Sequence, residues 1–295
     1  MSSSPTVSFE FFPAKTPETQ EKLMQAAIQL GVFNPEYISV TYGAGGSTQG
    51  LTLQTCRQIQ EKTGIPVAAH LTCVGANRDE IDTVARTLWD SGIKRIVALR
   101  GDVPGHSGDY TPRADGYAYA VDLVSGLRAL HPFDISVAAY PETHPQAPSA
   151  SFDIDYLRRK FDAGADRAIT QFCFDTDAYL RFRDRCALQG ITKPIVPGIV
   201  LVNNFAQSRK FAALCGTAIP DRVYGLLDGI TDPVQAAMIG ASFGIEQCEH
   251  LRRNGINQFH FYTLNRADIA SAVCHWMGLS PSVNAATGRI KSVAS

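Results

Sequence analysis

The sequence lacks the features that mark membrane, nucleic-acid-binding or disulfide-stabilised proteins. No apolar run approaches the ~20 residues that span a bilayer, and the polar start from Met1 to Pro5 contains no signal-peptide core. The 27 basic and 28 acidic side chains leave a net charge of −1, so no global field attracts nucleic acid or a membrane surface. The 7 cysteines include no CxxC pair, which favours reduced thiols over a metal site. We therefore expect a cytoplasmic protein without a bound metal.

What the sequence does contain is a strand-like pattern that recurs along the chain. In the segment from Arg95 to Asp102, the β-branched Ile96 and Val97 lie in an apolar run that ends on charged side chains. Runs of this kind begin near residues 7, 37, 67, 95, 135, 167, 195 and 258. Their spacing leaves room for a helix after each strand. Eight such units predict an α/β fold, a (β/α)8 TIM barrel whose polar strand ends meet at its C-terminal mouth.

Capping signals predict where helices begin. Thr16 followed by Pro17 is typical of a helix start, and Asn77 with Glu80 forms the pattern of a capping box. We predict extra helices between strands 7 and 8, one near 204–214 and one from 232 to about 254. No linker divides the sequence, so we predict one domain over residues 1–295, with flexible ends at about 1–5 and 280–295.

The glycine-rich segment Gly43–Thr48 follows a predicted strand but is not a complete dinucleotide-binding fingerprint. Thr48 stands where that fingerprint has its last glycine, and a barrel does not provide the Rossmann context. We interpret the segment as a loop at the barrel mouth.

Glu10 lies between Phe9 and Phe11 in the first predicted strand. Burial against aromatic rings disfavours the carboxylate, so we expect a raised pKa that suits a general acid near neutral pH. The alternative is a glutamate held in a structural ion pair within the barrel. Asp102 also has two possible interpretations, because an Arg-Gly-Asp turn suits either a functional carboxylate or a self-paired loop.

The run of Arg158, Arg159 and Lys160 has two interpretations. Such a run is typical of a solvated helix face, but at a barrel mouth the same groups would hold phosphates. His70 and His144 would lie nearby. Single histidines on strands are usually core residues, yet His144 directly follows a strand end, which favours a ligand contact.

Several blocks of sequence together resemble one family, the bacterial methylenetetrahydrofolate reductases. The resemblance runs in order from about Val7 to Leu279. It is carried by Val7-Ser-Phe-Glu-Phe-Phe-Pro13, Val40-Thr-Tyr-Gly43, His70-Leu-Thr-Cys73, Ala98-Leu-Arg-Gly-Asp102, Ala138-Ala-Tyr-Pro-Glu142, Ala168-Ile-Thr-Gln171 and Phe259-His-Phe-Tyr-Thr-Leu-Asn-Arg266.

The resemblance implies a barrel with noncovalent FAD at its C-terminal mouth. The implied activity is reduction of 5,10-methylenetetrahydrofolate to 5-methyltetrahydrofolate, which supplies methyl groups for methionine synthesis. The hydride donor would be NAD(P)H, with NADH our choice, and hydride would pass through FAD in ping-pong order. The resemblance also implies a homo-oligomer without the regulatory domain of eukaryotic members.

The same resemblance assigns roles to individual residues. Glu10 would be the general acid that protonates the bridging nitrogen of the folate, and Asp102 would contact the pterin and set the charge beside the flavin. The remaining implied substrate contacts are Thr41, Gln171, Gln207, Phe211 and Arg266. The implied FAD contacts are Tyr42, Ala44, His70, Arg100, Gly101, Asp102, Ala120, Tyr140, His144, Ala147, Asp153, Arg159 and Lys160.

Three features depart from the family pattern. Tyr156 replaces an asparagine, which puts one polar FAD contact in doubt. Leu201 replaces a proline in the loop after the seventh strand, and the segment Gly105–Tyr117 is longer than expected. Two other classes remain as alternatives: an FAD barrel of the proline dehydrogenase type, and a noncatalytic folate-binding barrel that has no need of Glu10.

Overall fold

A computed structural model describes residues 4–43, 49–102 and 110–281, and in these residues strands and helices alternate. The strands are β1 (Thr6–Phe11), β2 (Ile38–Val40), β3 (Val67–Thr72), β4 (Arg95–Leu99), β5 (Asp134–Ala139), β6 (Arg167–Thr170), β7 (Ile195–Val196), β8 (Gly198–Val200) and β9 (Gln258–Tyr262). The helices are α1 (Pro17–Gly31), α2 (Gln49–Thr63), α3 (Arg78–Asp90), α4 (Ala120–Leu130), α5 (Ala150–Asp162), α6 (Thr176–Leu188), α7 (Phe205–Cys215), α8 (Asp221–Leu227), α9 (Pro233–Arg253) and α10 (Asp268–Trp276).

The strands form one parallel sheet that curves into a barrel. The strand order is β7-β6-β5-β4-β3-β2-β1-β9-β8. The short strands β7 and β8 are two halves of the seventh barrel strand, separated by Pro197, which has no N–H to donate. Pairing continues across this break, because the N–H of His260 donates to the Pro197 carbonyl and the N–H of Gly198 donates to the Thr170 hydroxyl. The predicted (β/α)8 barrel is therefore confirmed.

Helix starts follow the capping signals of the sequence. Thr16 caps α1 as predicted, and Asn77 makes the predicted capping box with Glu80. Thr16 also makes a capping box with Thr19, which was not predicted. The extra helices after the seventh strand begin after the caps Asn204 and Asp232, close to the predicted positions. The sequence analysis missed α8, a seven-residue helix between them. Its N-cap, Pro220, offers no side-chain hydrogen bond, so the usual start signal is absent.

The apolar core fills the layer between the sheet and the helices, while the barrel interior is mixed in character. Strand register directs Ser8, Glu10 and His260 into the interior on one side. The opposite side of the interior is apolar and contains Val97 and Ile169. The polar side of the barrel therefore leads to the mouth at the carboxyl ends of the strands.

Ion pairs close the opposite, amino-terminal end of the barrel. Arg167 lies 2.6 Å from Asp134, and Arg95 lies 3.0 Å from Asp134 and 3.1 Å from Glu36. Both guanidinium groups also lie over the ring of the buried Tyr37. These contacts leave the carboxyl end as the accessible end of the barrel.

Two further expectations concern cysteines and membranes. All seven cysteines are free, and six of them are buried. Burial raises the pKa of most of these thiols, to about 12 for Cys56, which keeps them protonated and unreactive. Among the described helices, none has the length and apolar character needed to cross a membrane.

Candidate active site at the carboxyl end of the barrel

Glu10 lies on β1 near the barrel mouth, where two histidines from other strands approach its carboxylate. Nε2 of His70, on β3, lies 3.1 Å from Oε2, and Nε2 of His260, on β9, lies 3.4 Å from the same oxygen. The Glu10 side chain is only 16% exposed. Its neighbours on the strand, Phe9 and Phe11, are fully buried in the apolar core on the opposite face of the sheet.

The expected raised pKa of Glu10 is wrong. Burial by itself raises this pKa, but the nearby charge of His70 and the hydrogen bond from His260 outweigh burial and lower the pKa to about 2. The carboxylate is therefore ionised at neutral pH in the substrate-free protein. The aromatic neighbours of Glu10 are adjacent in sequence, whereas the two histidines come from distant strands, which is why the predicted direction was wrong.

Sequence analysis also missed Ser8 and His260 as parts of this site. They are paired in register on β1 and β9, and Ser8 Oγ lies 2.7 Å from Nδ1 of His260. A signal was present, because Ser8 and Glu10 on one strand and His260 and Tyr262 on another are polar groups at alternate positions. Alternate positions of a strand face the same side.

Arg100, Gly101 and Asp102 form the turn that follows β4. Nη1 of Arg100 donates to Oε1 of Gln146 over 2.6 Å, while the Arg100–Asp102 contact is long, at 3.9 Å. The Asp102 carboxylate is 93% exposed, so the self-paired turn is a poor description of this segment. Gly101 has a φ of +85°, and a Cβ there would lie 2.8 Å from Cβ of Thr72, so glycine is required.

A second group of polar side chains follows β5. The ring of Tyr140 meets that of His144 edge-on at 4.5 Å, and burial raises the pKa of Tyr140 to about 12. The N–H of His144 donates to the Asp153 carboxylate over 2.8 Å, and Ala147 closes the turn by donating to the His144 carbonyl. Asp153 lies in the first turn of α5, so it fixes this loop against that helix.

The basic run on α5 divides into three different environments. Arg158 is exposed and pairs with Asp155, and Arg159 is also exposed. Lys160 is buried, at 7% exposure, and its Nζ donates to the Ala138 carbonyl over 2.6 Å. Burial lowers the pKa of Lys160 to about 8. The solvated-face interpretation therefore fits Arg158 and is wrong for Lys160.

The remaining predicted contacts from strand ends lie around the same mouth. Thr41 and Tyr42 directly follow β2, and Gln171 follows β6, where its N–H donates to the Ala139 carbonyl. Ala120 is the first residue of α4. Ala44 and the first part of the Gly105–Tyr117 segment lie outside the described residues.

Three predicted folate contacts follow the last two barrel strands, which are the seventh (β7 and β8) and the eighth (β9). Gln207 is exposed in the first turn of α7, and Phe211 packs partly against the apolar cluster beneath that helix. Arg266 follows β9 and pairs with Asp268 over 2.6 Å. In the described part of the chain, none of these three side chains contacts Glu10.

The donor set beside Tyr140 fits the pyrophosphate and ribose of a dinucleotide such as FAD. Lys160 is a buried cation with one carbonyl partner, although an ammonium group has three donors. The hydroxyl of Tyr156 is buried and has no hydrogen-bond partner within the described part of the chain. Arg100 and His144 add two further donors, so the region holds unused hydrogen-bonding capacity suited to an anion.

A cavity of about 570 Å³ opens beside the end of β3. Its lining includes Tyr42, Thr72 and Val74, together with the first turn of α3. Thr72 and Val74 are also the side chains that a Cβ at Gly101 would meet, each at 2.8 Å. The volume is in the range of small-molecule sites and adjoins the turn after β4.

Comparison with known proteins decides the family. A family model described as methylenetetrahydrofolate reductase matches residues 1–278. The chain belongs to this family. A 5,10-methylenetetrahydrofolate reductase of Pectobacterium carotovorum subsp. carotovorum is 47% identical over 278 residues, which cover 94% of this chain and 91% of that protein.

More distant members and folds extend the comparison. Methylenetetrahydrofolate reductase (NADH) 1 of Zea mays is 38% identical over 92% of this chain and 48% of its own length. A solved structure of an uncharacterized protein from Clostridium thermocellum that binds two copies of 5-methyl-5,6,7,8-tetrahydrofolic acid has a TM-score of 0.62. It covers 94% of this chain and 96% of that one at 13% identity, so this likeness concerns the fold alone.

Proposed function

We propose that this chain reduces 5,10-methylenetetrahydrofolate to 5-methyltetrahydrofolate with NADH as the hydride donor and FAD as the bound cofactor. The observation that carries the proposal is the buried Glu10 carboxylate at the mouth, in contact with two histidines. Family membership supports the reaction, and the NADH in the name of the maize relative supports the choice of nicotinamide. The product would supply methyl groups for methionine synthesis.

The FAD would be held by the turn after β4, the loop after β5 and the helix α5. Lys160 and Arg100 supply positive charge for the pyrophosphate, with Arg159 at the edge, and Asp153 holds His144 in the same loop. Bound FAD would accept a hydride from the nicotinamide and release it to the folate. The residues that complete the proposed FAD site are Tyr42, Ala44, His70, Gly101, Asp102, Ala120, Tyr140 and Ala147.

The folate and the nicotinamide would occupy the same region in turn. Thr41 is proposed to contact the nicotinamide, and Gln171 both ligands. Asp102 would contact the pterin, and its exposed carboxylate is available to do so. Gln207, Phe211 and Arg266 would contact the remainder of the folate.

Glu10 is proposed to deliver a proton to the bridging nitrogen of the folate, which opens the five-membered ring for hydride addition. With a pKa of about 2, the carboxylate must first receive a proton before it can deliver one. The histidines in contact with it are the nearest donors. The proposed acid is therefore Glu10 together with a histidine that hands it a proton.

The test is an anaerobic titration of the purified protein. A yellow protein whose denaturation releases FAD is expected to be bleached by NADH and restored to yellow by methylenetetrahydrofolate, with 5-methyltetrahydrofolate as the product. Tetrahydrofolate, which lacks the methylene bridge, is the matched control and is expected to leave the flavin reduced. A colourless protein, FMN as the main flavin, or no recovery of colour with methylenetetrahydrofolate would each contradict the proposal.

The chain is also proposed to act as a cytoplasmic homo-oligomer. The family resemblance supports this proposal. Light scattering of the purified protein is expected to give a mass that is a multiple of 32.0 kDa. A monomeric mass at micromolar concentration would contradict it.

A further inference from the structure

A line of three polar side chains connects the interior of the barrel to the carboxylate at its mouth. Ser8 Oγ lies 2.7 Å from Nδ1 of His260, and Nε2 of the same ring lies 3.4 Å from Oε2 of Glu10. Ser8 is 4% exposed and His260 is fully buried. Polar groups at this depth cost free energy unless they are paired, so both nitrogens of the ring have specific partners.

The hydroxyl of Ser8 can satisfy His260 in both of its protonation states. When the ring is neutral, the hydroxyl donates to Nδ1, and Nε2–H donates to Glu10. When the ring is an imidazolium, Nδ1–H donates to Ser8, whose own proton turns to the carbonyl of Phe259, 3.4 Å away. A histidine that only filled space in the core would need no partner that adapts to its charge.

His260 is better placed than His70 to exchange a proton with Glu10. Nε2 of His70 lies closer to the carboxylate, at 3.1 Å, but it makes no hydrogen bond of acceptable geometry there. The other titratable groups that face His260 are Tyr37, stacked at 6.1 Å, and Tyr262, edge-on at 5.3 Å. Burial raises the pKa of both tyrosines, so they remain neutral.

We propose that Ser8 and His260 form a relay in which protonated His260 supplies the proton that Glu10 delivers to the substrate. This inference rests on the proposed function and extends it to two residues that do not touch the folate. The N–H bond at Nε2 breaks as an O–H bond forms on the carboxyl group, and a carboxyl O–H bond breaks as an N–H bond forms on the folate. His260 ends neutral with its remaining proton on Nδ1, which still donates to the hydroxyl of Ser8, and Glu10 ends as the carboxylate. Solvent returns one proton to His260 after the product leaves.

The first test is Ser8→Ala in the flavin-loaded enzyme, with each half-reaction followed by stopped flow. Without the hydroxyl, Nδ1–H of the imidazolium has no acceptor, so the ring loses its proton at lower pH. The pH profile of flavin reoxidation by methylenetetrahydrofolate should therefore have a midpoint about one to two units below that of the wild-type enzyme. A shift of this size corresponds to the loss of one hydrogen bond to a charged group. Flavin reduction by NADH should keep its rate and its pH profile.

The matched control is Ser136→Ala. Ser136 is also a buried serine on a barrel strand, at 2% exposure, and like Ser8 it lies against Tyr37, but it has no hydrogen bond to His260 among the described residues. This variant is expected to keep the wild-type pH midpoint. An unshifted midpoint in a folded, flavin-loaded Ser8→Ala enzyme, or the same shift in the control, would overturn the relay.

His260→Asn provides a second test that does not depend on the folding of the first variant. Asparagine retains a buried polar side chain but cannot carry the proton, so reoxidation by the folate should slow about 10²-fold or more, as for loss of an acid catalyst. Equal slowing of both half-reactions would identify His260 as structural and overturn the proposal. Failure of methylenetetrahydrofolate to reoxidise the wild-type flavin would instead refute the proposed function itself.

Discussion

Glu10 illustrates how a side chain can have neighbours that its own segment of sequence does not reveal. The flanking phenylalanines favour a neutral acid, whereas the contacts from His70 and His260 favour the anion. The His260 contact joins residues separated by 250 positions. Local sequence therefore predicted the burial of Glu10 correctly and the sign of its pKa shift incorrectly.

Asp102 provides a prediction about charge beside the proposed flavin site. Asp102→Asn keeps the shape of the side chain and removes an exposed negative charge. The flavin should then become easier to reduce and a poorer hydride donor, so reduction of the folate should be impaired more than flavin retention. A redox titration measures the potential, and a potential that does not rise would exclude an electrostatic role for Asp102.

Lys160 provides a second prediction, on the pH dependence of cofactor binding. The pKa of Lys160 is lowered to about 8 by burial, so its positive charge is lost as the pH rises through that value. We expect the affinity of flavin-stripped protein for FAD to fall above pH 8, and Lys160→Met to weaken binding by roughly 2–5 kcal/mol at lower pH. The exposed Arg158 offers the matched control Arg158→Met, which should bind normally. Equal affinities for the two variants in a fluorescence titration would return Lys160 to a structural role.

At the scale of elements, helix starts were predictable where a side chain caps the helix. Thr16, Asn77 and Asp232 each accept a hydrogen bond from the backbone of the helix that follows. The start of α8 at Pro220 has no such bond, and that helix escaped prediction. The division of the seventh strand at Pro197 also required the structure, since pairing across it uses the Thr170 side chain from a neighbouring strand.

Two helical glycines provide a paired prediction about how elements pack. A Cβ at Gly240 of α9 would lie 1.7 Å from the Val202 carbonyl oxygen, whereas a Cβ at Gly225 of α8 meets nothing within 4 Å. Gly240→Ala should therefore destabilise the fold by about 1–3 kcal/mol or more. Gly225→Ala should stabilise it by roughly 0.5–1 kcal/mol, because alanine is the better helix former. Urea unfolding measures both, and a Gly240→Ala variant no less stable than the wild type would show that α9 does not pack against Val202 as described.

At the scale of the whole molecule, the sequence predicted the barrel and much of its mouth because strand ends alternate with helices in a regular way. The polar residues that follow the strands converge on one end for this topological reason. The polar side of the interior was not predictable in the same way. It depends on the register that brings Ser8 on β1 beside His260 on β9. Neither segment of sequence determines that register by itself.

The charge state of Glu10 also affects the stability of the whole barrel. The pKa of its carboxyl group is 4.5 in the absence of perturbation and about 2 in the fold, so its stabilising contribution is present above pH 4.5 and is lost as the pH falls towards 2. We expect this contribution to be about 2–4 kcal/mol. Glu10→Gln should therefore show a shallower loss of thermal stability than the wild type between pH 5 and 2. Parallel curves for the two proteins would mean that the histidines do not lower this pKa.

The most direct test of the account separates the two half-reactions in Glu10→Gln. Hydride transfer from NADH to the flavin needs alignment but no acid, so flavin bleaching in stopped flow should proceed at close to the wild-type rate. Reoxidation by methylenetetrahydrofolate needs a proton that glutamine cannot give, and it should slow by about 10²–10⁴-fold or more. Equal slowing of both half-reactions would instead mean that Glu10 is a structural member of the barrel, and the account of this site would be wrong.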